Sequence, residues 1–290
     1  MKILTHPITR LFLLLFVIIA PSTLVEGKKE FTGNRSYRVA AGSVYHTADL
    51  IKTMINYKVS VSSMSARTAA SDKAVKEAAM KAARKAEMRM VITTAHAIYS
   101  TMDLEDSGLS SKAFEYAFMG YYKLQKRGLL HRTGILTICD FSQSSSQERM
   151  YVIDVRNRKV LYRTFVAHGI NSGEEFANSF SNRPESCKSS LGFYITTRTY
   201  TGSNGLSLRI EGVDKGFNDQ AGRRNIVIHG ASYVSLRILH KYGVMGTTFG
   251  CPAIPAEMSS EIIPVVKNGS CFFIYYPSKK YLAQSTVLNG

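Results

Sequence analysis

The spacing of apolar and polar positions changes character near Leu130. Before that point the period is helical. In "SDKAVKEAAMKAARKAEMRMVITTAHAIYS" (Ser71–Ser100), Val75, Ala79, Ala82, Ala86 and Met90 recur at helical spacing within an alanine-rich run. Ser71 stands where an N-cap belongs, and Glu77 with Lys81 forms a well-oriented i,i+4 pair. A second helix is expected from Ser110 or Ser111 to about Arg127. Phe114, Ala117, Tyr121 and Leu124 face inward, and Gly128 is the C-terminal stop.

After Leu130 the runs become short, β-branched and aromatic: "GILTICDFS", "RMYVIDV", "KVLYRTFVA", "LGFYITTRTY", "LSLRIEG", "NIVIHG" and "CFFIYYP". Turn-forming residues separate them, such as "RNR" (Arg156–Arg158). No helical period alternates with the strands, which disfavours a parallel α/β sheet. The fold class is therefore α+β: a mainly antiparallel sandwich or barrel preceded by a helical N-terminal region. One long connection, Gly169–Ser190, is rich in Gly, Ser and Asn, and loops of that length are usually functional or disordered.

The segment 28–64 shows only weak patterning and reads as a lead-in. Ahead of it, Lys2 and Arg10 precede or flank "LFLLLFVIIA" (Leu11–Ala20), an apolar run too short to span a bilayer comfortably. This fits a secretory signal peptide over residues 1–27, with cleavage before Lys28; an uncleaved anchor is the alternative. The expected organisation is a signal segment 1–27, a basic, partly helical region 28–108, a catalytic-type domain 109–278 and a tail 279–290.

Composition adds a compartment and an electrostatic bias. With 290 residues, 45% of them hydrophobic, the chain can bury a core without disulfide staples. The net charge of +16 would point to nucleic acid inside a cell. In an exported chain it points to anionic lipids or wall polymers, and no nucleic-acid partner is expected. Lys81, Arg84 and Lys85 form a basic helix face, which reads first as a plain solvated face and, as the sharper alternative, as a surface for anionic wall or lipid. Four cysteines, Cys139, Cys187, Cys251 and Cys271, leave their pairing open. Cys139 and Cys271 fall in apolar strands and read as core.

The chemistry concentrates in "GTTFGCPAIP" (246–255) and "NIVIHG". An imidazole at the end of a strand, His229, is a well-fixed base for a nearby Cys251 thiol. Gly250 permits a tight turn and an open approach to sulfur. Amides around Gly250 and Cys251 would face a developing oxyanion. No acid lies near His229 to orient it, so the Gly230 carbonyl is the candidate.

These residues also carry a likeness. "IVIHGASYVS" followed by "MGTTFGCPAIP" resembles the catalytic signature of the murein L,D-transpeptidase family. "DFSQSSSQERMYVIDV", "VAHGINSG", "FSNRPESCKSSLGFYITTRTYTG" and "GLSLRIEGVDKGFND" resemble successive blocks of one branch of it, from about Leu109 to Tyr276. The resemblance implies Cys251 as nucleophile, His229 as base, Gly230 as its orienting carbonyl, and Gly250 with Thr248 at the oxyanion turn. It further implies that "SSLGFYI" (Ser189–Ile195), with Gly192 and Tyr194, frames the substrate. Arg209, Arg223 and Arg224 are candidates for holding its carboxylates.

The reaction implied is acyl exchange on peptidoglycan stem peptides, through a thioester at diaminopimelate, in the periplasm or envelope and without cofactor or metal. With water as acceptor it becomes an L,D-carboxypeptidase; an inactive envelope-binding protein of the same fold is the non-enzymatic alternative. Phe249 departs from the His or Arg that usually precedes the Gly-Cys pair, and Pro252 and Ala253 replace the usual Asn or Arg after it. The His-to-Cys gap is also longer than is common. A sortase-type site would need an Arg beyond the cysteine, and none follows Arg237; papain-like enzymes have the reverse order. His168, His229 and Cys187 lack the tight spacing of a zinc site.

Overall fold

A computed structural model describes residues 69–290, with side-chain surroundings from Val75 onward. The expected signal segment and the lead-in lie outside the described residues. The described residues lie within one compact unit.

Helix α1 (Ala69–Thr101) begins two residues before Ser71, which therefore sits in the first turn and is not the cap. Its first half faces solvent: Val75, Ala79, Ala82 and Ala86 are exposed. Alanine methyls offer too little area to hold a helix against a partner. Packing starts where Met88 and Val91 appear, and Val91, Ala95 and Ile98 are buried. Lys81, Arg84 and Lys85 are exposed as well. Among the described residues no helix is long and apolar enough to cross a membrane.

Helix α2 (Ser111–Lys126) follows the sequence closely. Ser110 caps it by accepting from the Ala113 amide, and Gly128, at φ +71°, ends it. Phe114, Ala117, Tyr121 and Leu124 are all buried. Glu87 of α1 accepts from Tyr122 Oη at 2.6 Å and pairs with Lys126. Tyr99 Oη donates to the Leu109 carbonyl at 2.6 Å, closing the corner between the helices.

The remainder is one mixed sheet of eight strands: β1 (Ile135–Asp140), β2 (Met150–Asp154), β3 (Lys159–Thr164), β4 (Gly192–Gly202), β5 (Gly205–Gly212), β6 (Val227–Ala231), β7 (Ala253–Pro255) and β8 (Cys271–Tyr275). Their order is β3-β2-β1-β8-β4-β5-β6-β7. Most pairings are antiparallel, as expected, but β1 pairs β8 and β6 pairs β7 in parallel. Just past β3, the Ala167 amide donates to the Ala253 carbonyl at 2.8 Å, so the two ends of the sheet meet in a near-barrel.

Every residue of β1 and β8 is buried, which explains their unbroken apolar runs. α2 packs across β1 and β8 and reaches Phe193 of β4. Phe193 stacks on Phe273 with ring centroids 4.1 Å apart. Cys271 sits opposite Leu136, and Cys139 opposite Ile274. An odd offset of three positions puts these two buried thiols on opposite faces of the sheet. None of the four cysteines is disulfide-bonded.

Residues 279–290, expected as a tail, instead form two short helices, α5 (Lys279–Gln284) and α6 (Thr286–Asn289), after α3 (Leu236–Tyr242) and α4 (Ser259–Val266). They are held by Asp214, which is fully buried and accepts from Tyr281 Oη (2.9 Å), Ser285 Oγ (2.6 Å) and the Val287 amide (3.1 Å). A buried carboxylate with this many donors is satisfied rather than costly.

Gly120 is where α2 meets the sheet most closely: a Cβ there would lie 2.0 Å from Phe193 Cζ. Gly120→Ala should gain about 1 kcal/mol of helix propensity. The overpacking cost of about 1–3 kcal/mol should outweigh it, because Phe193 is fully buried and cannot swing aside. A lower denaturation midpoint with an unchanged slope is expected; a raised midpoint would show that α2 does not approach this closely.

Candidate active site

The site is built on the parallel pairing of β6 and β7. Alternate residues of a strand face opposite ways. Ile228, with its β5 partner Leu208, enters the core, while Val227 and His229 face the other way opposite Arg209 and Ser207. Tyr200 extends the His229 row across β4, being paired with Ser207. On the other side of β6, His229 is in register with Ala253. Two residues back along both segments, the same register brings Cys251 to Val227. There the Val227 amide donates to Cys251 Sγ at 3.4 Å, and the thiol donates to the Asn225 carbonyl at 3.7 Å. The thiol thus lies against the backbone edge of β6, just before β7 and two residues from His229 along β6.

His229 was expected at a strand end; it lies in the middle of β6, which runs on through Gly230 and Ala231. Its ring is 4% exposed. Nδ1–H donates to the Gly230 carbonyl at 3.0 Å, since a carbonyl can only accept. In the neutral ring this fixes Nε2 as the free lone pair, the form a base needs. Gly230 is also a steric necessity: a Cβ would lie 2.9 Å from Ser259 Oγ.

Thr248 shapes the cysteine turn. Its Oγ1 accepts from the Gly250 amide at 2.9 Å and donates to the Cys251 carbonyl at 2.8 Å, while its own amide donates to the His168 carbonyl at 2.9 Å. This corrects part of the oxyanion expectation. The Gly250 amide is engaged by Thr248, so of the two amides only that of Cys251 is left to face substrate. Gly250 adopts φ +122°, and a Cβ there would lie 2.8 Å from the Lys188 carbonyl and 3.0 Å from Arg224 Nη2. Only glycine fits both constraints.

Arg224 is the principal group that sequence reasoning underrated. It was a candidate for a basic rim, but its guanidinium is half-buried and spans the long connection. It donates to the Ser181 carbonyl (2.7 Å), Ser190 Oγ (3.1 Å), Ser186 Oγ (3.3 Å) and the Lys188 carbonyl. Burial lowers its pKa, and it faces the Cys251 and Cys187 thiols. Burial pushes the Cys251 thiol up, while the Val227 amide and the Arg224 charge oppose this. The resting sulfur is therefore a thiol that needs a base.

Tyr233, also unforeseen, lies near enough to Cys251 for the two to interact; burial first, then Cys251, raises its phenol pKa. Phe249 is 79% exposed beside the turn. Arg209 is exposed and stacks on the Tyr200 ring, 4.7 Å from its centroid, in the row shared by Val227 and Cys251. Tyr194 does not face substrate: it is fully buried, its hydroxyl bonded to the Ser190 carbonyl at 2.9 Å. It stands behind Arg224 and is not a lining residue. Gly192, at φ +116°, makes room for Asp214 and Asn218.

His168 supports the turn from below. Buried Arg149 donates to its Nδ1 at 2.7 Å, and its Nε2–H donates to the Gly173 carbonyl at 3.0 Å. Burial and the Arg149 charge hold it neutral, its pKa lowered to about 4. Among the described residues, no three metal-ligating side chains come together.

The fold and site define a near-barrel protein carrying a thiol and an oriented imidazole on one strand pair. Residues 105–275 match the L,D-transpeptidase catalytic domain, and the chain belongs to that family. No curated protein matches the chain. Among solved structures it is similar to an L,D-transpeptidase from Mycobacterium smegmatis, at 11% identity and TM-score 0.31, covering 49% of this chain and 59% of that one. An L,D-transpeptidase from Xylanimonas cellulosilytica matches at 15% identity and TM-score 0.29, covering 53% and 68%. The helical cell shape determining protein Pgp2 from Campylobacter jejuni matches at 15% identity and TM-score 0.31, covering 55% and 56%. The chain thus spans 59% of the length of the first of these.

The raised thiol pKa gives a pH test. In a Cys187→Ser background, the pH profile of iodoacetamide alkylation at Cys251 should have its midpoint above about 8.5, the midpoint of an ordinary cysteine. Arg224→Gln removes the cation that favours thiolate and should move the profile to still higher pH. An unchanged profile would remove Arg224 from the electrostatics of the thiol.

Proposed function

We propose that the protein is a peptidoglycan L,D-transpeptidase in which Cys251 is the nucleophile and His229 the base. The observation that carries this reading is the meeting of β6 with the segment before β7: Cys251 Sγ against the Val227 amide, His229 two residues further along, and an Nδ1–H that Gly230 ties down.

In the first step the thiol leaves the Asn225 carbonyl and its proton passes to His229 Nε2. The sulfur attacks the diaminopimelate carbonyl carbon, and the oxygen takes up negative charge facing the Cys251 amide. The C–N bond to the terminal D-alanine breaks, and the imidazolium returns its proton to the departing amine, leaving a thioester. In the second step an acceptor amine attacks the thioester and gives its proton to His229. The new amide forms as the thiol is released. Arg209, exposed along the same row, would hold a stem-peptide carboxylate, with Tyr200 fixing its guanidinium. Substrate of this kind places the protein at the cell envelope.

Incubation with a carbapenem followed by intact-mass measurement tests the assignment. One adduct is expected, absent in Cys251→Ala. In His229→Ala its formation should slow by roughly 10²–10⁴-fold, the usual worth of general base catalysis. Product analysis with purified stem peptides then separates an amine acceptor from water. Full acylation of Cys251→Ala would remove Cys251 from the nucleophile role.

A further inference from the structure

Beyond the Arg224 strut the long connection forms the wall of a second concavity, a cavity of about 630 Å³. Its lining joins this loop to the Lys215–Phe217 turn and to the segment after β8. The half-buried rings of Phe180, Phe217 and Tyr276 line it, Phe180 and Tyr276 with centroids 5.1 Å apart. Arg183, Lys215 and Lys280 are exposed on its lining, and none makes a salt bridge among the described residues. No carboxylate lines it. Asp219, which bonds to two of its lining residues, already accepts from Asn182 Nδ2 (2.7 Å) and the Gly216 amide (2.7 Å).

This combination defines a ligand chemistry. Aromatic faces carry negative π density and receive the polarised C–H groups of a sugar ring, while a small set of polar groups fixes orientation. Cations without carboxylate partners await anionic groups on the same ligand. The concavity is also coupled to the thiol. Ser181 on its wall and Lys188 beside Gly250 are both held by the Arg224 guanidinium.

We propose that this cavity is a saccharide subsite, binding a glycan whose amino-sugar rings lie on Phe180, Phe217 and Tyr276 while carboxylates of the attached stem peptide meet Arg183, Lys215 and Lys280. The inference rests on the reading of the substrate as peptidoglycan and extends it from the stem peptide to the glycan. A basic aromatic groove can also take single-stranded nucleic acid, and the test separates the two.

Binding is measured by calorimetry on the full chain carrying Cys251→Ala, so the result does not depend on whether Cys251 is the nucleophile. The probes are a purified disaccharide-tetrapeptide, the free tetrapeptide and an oligothymidylate. The disaccharide-tetrapeptide should bind more tightly than the free tetrapeptide. Lys215→Ala with Lys280→Ala, both on exposed side chains, should weaken it about tenfold, as expected for two exposed charge contacts. Tyr276→Leu should weaken it while leaving free-tetrapeptide affinity unchanged. Equal affinity for the two peptides, no effect of the lysine pair, or tighter binding of oligothymidylate would each overturn the proposal. Failure of carbapenem acylation in the native chain, with saccharide binding intact, would instead count against the transpeptidase reading alone.

Discussion

The parallel register of β6 against β7 is the constraint on which the site depends. His229 meets Ala253, and two residues back the Val227 amide meets Cys251 Sγ, so one pairing brings both reactive groups to the same stretch of β6. A slip of one residue would carry Ala253 out of line with His229 and Cys251 away from Val227. The register is held from both sides: the Ala167 amide reaches Ala253, and Thr248 bonds to the His168 carbonyl and to both ends of the Gly250–Cys251 pair. Sheet closure and nucleophile placement are therefore one event.

Around that pairing the molecule uses buried cations as internal scaffolding. Arg149 is fully buried and bonds to the Val166 and Gln143 carbonyls and to His168. Arg224 does the same for four points of the long connection. A guanidinium suits this use because its planar fork satisfies several carbonyls at once and keeps its charge when buried. The loop gains a fixed shape without regular secondary structure, and the thiol gains a nearby positive charge.

Much of this was legible in the sequence. α2 was readable down to its cap because large apolar residues, Ser110 and Gly128 all agree. Seven of the eight strands announce themselves as β-branched or aromatic runs. β7 does not, since three residues carry no period and its Pro255 reads as a breaker. The exposure of the first half of α1 was not legible, because alanine signals helix without saying whether its face is buried. His229, Gly230 and Cys251 were recognisable as a chemical set. Tyr194 was not recognisable as buried, nor the Gly250 amide as already engaged. The first depends on packing against a strand far away in sequence, where Tyr194 meets Phe272, and the second on a local bond to the Thr248 hydroxyl that residue spacing does not announce.

The two core thiols have a further meaning for handling the molecule. Cys139 and Cys271 sit on adjacent strands but on opposite faces, and burial lifts both thiol pKa values far above the ordinary range. They can neither reach one another nor ionise readily, so the core is indifferent to the redox state around it. The same sheet can be assembled in a reducing host or an oxidising one. In folded protein, oxidants and thiol reagents are left with Cys187 and Cys251 alone, and replacing Cys187 makes the chain a single-label reporter of its own site.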